Sequence, residues 1–189
     1  MGITMGDPAG SGPEIVVKVL ALAEMYELSR PIVIGDAACM REAAEIVGWS
    51  GQICAVQDVK QARFEPGVID VLDLHNVDMK QLVRGRVDAM AGRAAYEYIE
   101  KGTQLALTGE TAAIVTSAIN KEALNKAGYH YDGHTELLAH LCGVKDVTMM
   151  LVGGGLRVTH VSTHCSLREA IDRVKRERIL TVIRLTWDA

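Results

Sequence analysis

The sequence predicts a three-layer α/β fold, with helices on both faces of a mostly parallel sheet, and three observations predict it. Short apolar runs at residues 3–5, 31–35, 53–56, 68–72 and 112–116 alternate with segments whose apolar residues recur at three- and four-residue steps. A glycine-rich turn joins the first run to the first helical segment, and glycines 48, 128 and 143 close later ones. The 189 residues are 49% hydrophobic and 23% charged, enough apolar material for one good core. In sheets of this kind ligands gather at the carboxyl ends of the strands.

The elements follow in chain order. Residues 3–5 lead into Gly6-Asp7-Pro8-Ala9-Gly10-Ser11-Gly12-Pro13-Glu14, after which Ile15, Val16, Val19, Leu20 and Leu22 take helical spacing. Pro13 suits a first helical turn, and Glu14 suits the positive end of the helix dipole. Glycines there let main-chain amides approach an anion, yet the run lacks both G-x-G-x-x-G and the Walker Lys-Ser/Thr. A tight strand-to-helix turn accounts for it equally well. Residues 31–35 read as a buried strand, 37–47 as a helix, and 53–56 and 68–72 as two further strands. The polar stretch 72–87 reads as a connection without repeats. From Val87 to Leu107 runs the longest helix, weakened by Gly102, and a strand at 112–116 comes next. Asn120 then caps a helix that places Lys121 near a strand's carboxyl end, as an anion-holding cation or, as spacing favours, a solvated first-turn lysine.

The densest polar cluster is Tyr129-His130-Tyr131-Asp132-Gly133-His134-Thr135-Glu136, ahead of a helix over 135–141. Asp, Thr and Glu are what helix starts favour, so a plain N-terminus explains much of it. His134 and His140 are six residues apart, about 240° around a helix, which excludes the H-E-x-x-H zinc-protease arrangement. His140 lies four residues after Glu136 and suits a surface partner to it. Residues 148–152 and 156–163 flank Gly153-Gly154-Gly155 as a hairpin, with Val158, His160, Ser162 and His164 on one face. Ser166-Leu167-Arg168-Glu169 is a capping box, which sets His164 at a strand's end as a plausible metal ligand or a structural residue. Residues 171–187 form one amphipathic segment whose apolar face lacks cover, so a further domain or a second chain is expected against it.

Composition excludes several classes. A net charge of −4 with one Phe, five Tyr and two Trp argues against a nucleic-acid surface. Cys39, Cys54, Cys142 and Cys165 form no C-x-x-C pair, so neither a disulfide framework nor a zinc knuckle is expected, and a reducing cytoplasm is the simplest setting. No run approaches a membrane span and the N-terminus lacks signal-peptide order, so no membrane partner is expected. Small charged metabolites remain as ligands.

Four motifs in order, Ile3-Thr4-Met5-Gly6-Asp7-Pro8-Ala9-Gly10-Ser11-Gly12-Pro13-Glu14, Ile119-Asn120-Lys121-Glu122-Ala123-Leu124, Gly133-His134-Thr135-Glu136 and Ser162-Thr163-His164, resemble the 4-hydroxythreonine-4-phosphate dehydrogenase (PdxA) family. The resemblance implies an isocitrate/isopropylmalate dehydrogenase-like fold, C-terminally truncated. Residues 1–143 would be mainly the first α/β domain and 144–189 the incomplete start of a second. It implies NAD-dependent oxidation of a 4-phosphorylated hydroxy acid, then decarboxylation, with a divalent metal (Zn, Mg or Co) polarising the hydroxyl and then the carbonyl. His134 and Thr135 would contact substrate, and His164 would be one of three metal-binding histidines, in a site shared across a homodimer when full length. No residue is assigned to NAD or to a catalytic acid or base. Substrates divide between 4-phosphohydroxy-L-threonine, for pyridoxine biosynthesis, and D-threonate or D-erythronate 4-phosphate; the stretch around His134 resembles the sugar-acid branch more closely. Ser11 and Ser117-Ala118 depart from the family's Ile and Ala-Pro. The Asn-Pro-His-Ala-Gly and Tyr-His-Asp-Gln motifs, which carry the other two metal histidines, are absent. An inactive chain is therefore expected, and the alternative is a non-catalytic module that binds phosphometabolites through the N-terminal loops.

Overall fold

The computed structural model describes residues 1–189. It divides into two compact units, Met1–His134 and Thr135–Ala189. The first contains β1 (Gly2–Thr4), α1 (Gly12–Leu20), α2 (Glu24–Leu28), β2 (Ile32–Gly35), α3 (Ala37–Ile46), β3 (Gln52–Val56), β4 (Val68–Asp73), α4 (Ala89–Leu107), β5 (Ile114–Val115) and α5 (Lys121–Lys126). Five strands make one parallel sheet in the order β3-β4-β2-β1-β5, with Ile3 opposite Val33 and Val33 opposite Val71.

This order follows from where apolar residues are continuous. All four residues of β2, Ile-Val-Ile-Gly, are buried, as a strand covered on both faces requires. β3 exposes Gln52 and Ala55 at one edge, and β5 is the short strand at the other. The chain runs from β1 through β2 to the edge strand β3, turns back to β4 and then crosses to β5 at the other edge, so right-handed crossovers send α1 and α3 to one face and α4 to the other. α1 packs on α3, while α4 lies along β1, β2 and β5 and carries α5. These are the three layers that the alternation of runs predicts. The longest helix begins where Asp88 accepts from the amides of Met90 and Ala91. Asn120 caps α5 through the amide of Ala123, as its position before Lys121 implies.

Gly102 has a packing reason. A Cβ there would stand 2.7 Å from Cδ1 of Ile114 and 3.1 Å from Cδ1 of Ile34, so the glycine seats α4 on the sheet. Gly92 does the same towards α5, where a Cβ would fall 2.1 Å from the Ala123 carbonyl oxygen.

The second unit contains α6 (His134–Leu141), which begins one residue before the unit boundary, an antiparallel hairpin of β6 (Met150–Gly153) and β7 (Leu156–Thr159), α7 (Leu167–Arg173) and α8 (Arg176–Asp188). Gly154 and Gly155 take positive φ at the hairpin turn. Three expectations change. β7 ends at Thr159 rather than residue 163, because beyond it pairing narrows to the His160 amide on the Met149 carbonyl and the Thr148 hydroxyl on the His160 carbonyl. His164 therefore lies past the strand, in a bend with φ +52°. The amphipathic segment 171–187 is two helices, broken where Val174 leaves helical geometry and Lys175 becomes the extended N-cap of α8. Apolar periodicity passes through that break because both helices expose apolar residues, Ile171 and Ile183 among them. The helix α2 and a 3-10 turn at Val59–Gln61 had no counterpart in the apolar pattern. No helix is long and apolar enough to cross a membrane.

Alanine is the better helix former by about 1 kcal/mol, so Gly92→Ala would stabilise an isolated helix. Here it is expected to destabilise the protein by about 1–3 kcal/mol, because backbone rather than a movable side chain meets the new methyl. Urea unfolding of the variant against wild type checks the sign.

Candidate functional site

At the carboxyl edge of the parallel sheet the glycine-rich loop is closed on itself. The Ala9 amide donates to Asp7 Oδ1 at 2.8 Å, the Gly10 amide to the Asp7 carbonyl, and the Asp7 amide to the Ala118 carbonyl. Gly6, at φ +82°, makes the turn possible, since a Cβ would lie 2.5 Å from that Ala118 oxygen. The amides of Asp7, Ala9 and Gly10 are thus spent within the chain, as in a strand-to-helix turn, and are not open to an anion. The 72–87 connection is latched over it. The Gly85 amide donates to the Ala9 carbonyl at 2.7 Å, and Arg84 donates to the Pro8 carbonyl while pairing with Glu42 at 3.0 Å. Burial pushes the Asp7 carboxyl up; the Ala9 amide opposes this and neighbouring Asp88 adds to it.

Asp36, Asp73 and His75 bring three potential metal-ligand atoms within 4.8 Å of one another at the ends of β2 and β4. Both carboxylates already accept main-chain amides. Asp36 accepts from the amides of Ala38, Cys39 and Val77, and Asp73 from those of Ala37 and His75. The positive end of α3 also points here, which disfavours a cation. The cluster is a clasp of loop and helix. Sequence reading missed it because Asp36 and Asp73 are remote along the chain. Asp36 just before a helical run is the one legible signal, as an N-cap.

His134 opens α6 and closes the first unit. Its Nε2 is buried without a hydrogen-bond partner. Burial lowers its pKa below the ordinary 6.5, a backbone interaction with Ser117 opposes that, and the ring is neutral at pH 7. Upstream, Tyr129 stacks on Tyr96 with ring centroids 3.7 Å apart and 6° between planes, holding the start of the polar stretch on α4. Lys121 is exposed in the first turn of α5, as spacing favours.

Thr135 falls in the second unit. With Glu136, His160, Ser162, Thr163 and Arg178 it lines a cavity of about 160 Å³. The structure therefore gathers Thr135 with the residues just ahead of His164. His164 itself is exposed, does not line this cavity, and belongs to no group of three potential metal ligands. The residues of this chain do not by themselves fit the metal that the resemblance implies.

A parallel α/β sheet with its glycine turn and a polar helix entrance at the carboxyl edge has its counterparts among dehydrogenases. A 4-hydroxythreonine-4-phosphate dehydrogenase structure from Burkholderia phymatum superposes with a TM-score of 0.91 at 47% identity, over 97% of this chain and 55% of that one. The family model described as pyridoxal phosphate biosynthetic protein PdxA matches residues 27–189, and the chain belongs to that family. A Clostridium botulinum protein named as a candidate D-threonate 4-phosphate dehydrogenase is 44% identical over 97% of this chain. The chain spans 55% of that relative's length. A terephthalate 1,2-cis-dihydrodiol dehydrogenase from Burkholderia xenovorans is 27% identical with a TM-score of 0.69, so the same framework serves other substrates.

A histidine with a lowered folded pKa adds no pH slope above about pH 6.5, where it is neutral in both states. Below that the unfolded chain takes up the proton first, so stability falls as pH drops from 6.5 towards the folded pKa. His134→Gln is expected to flatten this part of the profile, read as urea midpoints for both proteins from about pH 7.5 downwards. Parallel profiles would remove His134 as the source.

Proposed function

We propose that this chain is the N-terminal portion of an NAD-dependent oxidoreductase acting on a 4-phosphorylated hydroxy acid. D-Threonate or D-erythronate 4-phosphate is placed ahead of 4-phosphohydroxy-L-threonine. The observation that carries this reading is 44% identity, over 97% of the chain, to a protein named for the D-threonate activity. In the full-length enzyme the substrate's secondary alcohol gives up hydride to NAD and its hydroxyl proton to a base, and the resulting β-keto acid loses carbon dioxide. The setting is cytoplasmic and the assembly a homodimer.

His134 and Thr135 contact substrate in this reading. The support is physical: a neutral imidazole with an unspent, buried Nε2, and a threonine that lines a polar cavity. Both groups orient a substrate by hydrogen bonds without imposing a charge. His164 supplies one metal ligand. The chain does not gather a second and third ligand around it. Residues 144–189 begin a second domain whose apolar surface the rest of a longer enzyme covers. The isolated His164 also favours a second reading, a non-catalytic module that binds phosphometabolites without redox chemistry.

Purified 189-residue protein, supplied with NAD, a divalent metal and D-threonate 4-phosphate, is expected to give no NADH absorbance. Turnover by this chain alone would overturn the requirement for further residues. In a full-length relative, replacing the histidine equivalent to His164 by alanine is expected to abolish metal-dependent turnover while circular dichroism stays unchanged. Wild-type turnover in that variant would return His164 to a structural role.

A further inference from the structure

We propose that the cavity of the second unit is an oxyanion subsite in which Arg178 is the charged anchor and specificity residue, so that it takes one end of a small phosphorylated or carboxylated hydroxy acid. The inference rests on the dehydrogenase reading only for the identity of that acid; the chemistry of the cavity stands apart from it.

The guanidinium of Arg178 is held in place from within the unit. Nε donates to the Val161 carbonyl at 3.1 Å and Nη2 to the Val147 carbonyl at 2.9 Å, so the two segments flanking the hairpin grip it. Nη1 has donors to spare, because its ion pair with Asp146 is long, at 4.0 Å, and beyond hydrogen-bond distance. A cation fixed by main-chain carbonyls loses little freedom on binding, and its planar fork suits phosphate or carboxylate.

The other lining groups fit the same ligand. His160 Nδ1 lies 3.3 Å from the Met149 carbonyl, which only accepts; in the tautomer that satisfies it Nε2 is an acceptor, suited to the hydroxyl of a hydroxy acid rather than to its oxyanion. Thr135, Ser162 and Thr163 also line the cavity, and their hydroxyls have no hydrogen-bond partner in the chain. Glu136 also lines it, and its carboxylate suits the hydroxyl of a hydroxy acid rather than a second anion. A cavity of about 160 Å³ has room for roughly five waters, which matches one oxyanion group and not a whole nucleotide.

The experiment titrates the 189-residue protein with inorganic phosphate and, separately, with D-threonate, followed by calorimetry and by ³¹P line width for phosphate. Saturable binding of either is expected. Arg178→Met is expected to weaken it about tenfold or more, with Arg178→Lys intermediate because lysine keeps the charge but not the fork. Thr135→Val and Ser162→Ala, which leave the carbonyl tethers intact, are each expected to weaken binding several-fold, so the proposal remains testable if Arg178→Met fails to fold. Saturation by phosphate places the phosphate end in the cavity, and saturation by D-threonate alone places the carboxylate end; both support the subsite. Saturation of neither, or wild-type affinity in Thr135→Val, Ser162→Ala and a folded Arg178→Met, overturns it. Anion binding here, alongside a full-length relative without dehydrogenase turnover, would leave the subsite standing and remove the dehydrogenase reading. The converse pair of results would do the opposite.

Discussion

Five main-chain amides converge on two carboxylates at the carboxyl edge of the sheet, and the rest of the first unit depends on that convergence. Asp36, 1% exposed, ends β2, starts α3 and holds the Val77 amide of the following connection. Asp73 does the same work from β4 through the amides of Ala37 and His75. Buried carboxylates are tolerable only with such donors, and main-chain amides at a helix start supply them without a counter-cation. The connection so fixed is then stitched onward. Tyr98 donates to Asn76 and Asn76 to Glu97, while Arg84 and Gly85 lock its far end onto the glycine turn. The edge where ligands would gather is thus cross-linked by hydrogen bonds within the chain itself.

The two units differ in how they are held. The first closes a continuous core from Ile3 and Met5 through Ile32–Ile34 to Ile69 and Val71, with helices on both faces. The second has few fully buried apolar side chains, Leu137 and Val182, and leaves Leu151, Val152, Leu156, Ile183 and Trp187 exposed. Its order comes from local devices: the glycine turn of the hairpin, the reciprocal Ser166–Glu169 capping box and the Arg178 tethers. A unit of this size with so small a core needs cover to be stable alone. That agrees with a chain spanning 55% of its relative's length.

Family membership and local chemistry carry different parts of the functional argument. The match over residues 27–189 gives the family. It does not choose the substrate, since the framework also serves a dihydrodiol dehydrogenase. Local chemistry adds a neutral His134 in the first unit and, separately, a cavity in the second unit lined by Thr135 and the tethered Arg178. The metal is the reverse case: one histidine in an exposed bend is not a site, whatever its counterpart does in longer relatives.

The sequence by itself determined the α/β layering, because continuous apolar runs such as Ile32-Val33-Ile34 can be satisfied only inside a covered parallel sheet. It also determined the Asn120 and Ser166 caps, whose signals are local in the chain. Tertiary structure alone decided the strand order, the end of β7 at Thr159, the break at Val174 and the packing role of Gly102. It alone also decided the Asp36–Asp73 clasp and the gathering of Thr135, His160 and Arg178 around one cavity. Each of these depends on groups far apart in sequence meeting in space, and neither periodicity nor spacing carries that information. For the polar stretch ending at His134 and Thr135, the residues marked a helix start, and the fold decided which partners each one met.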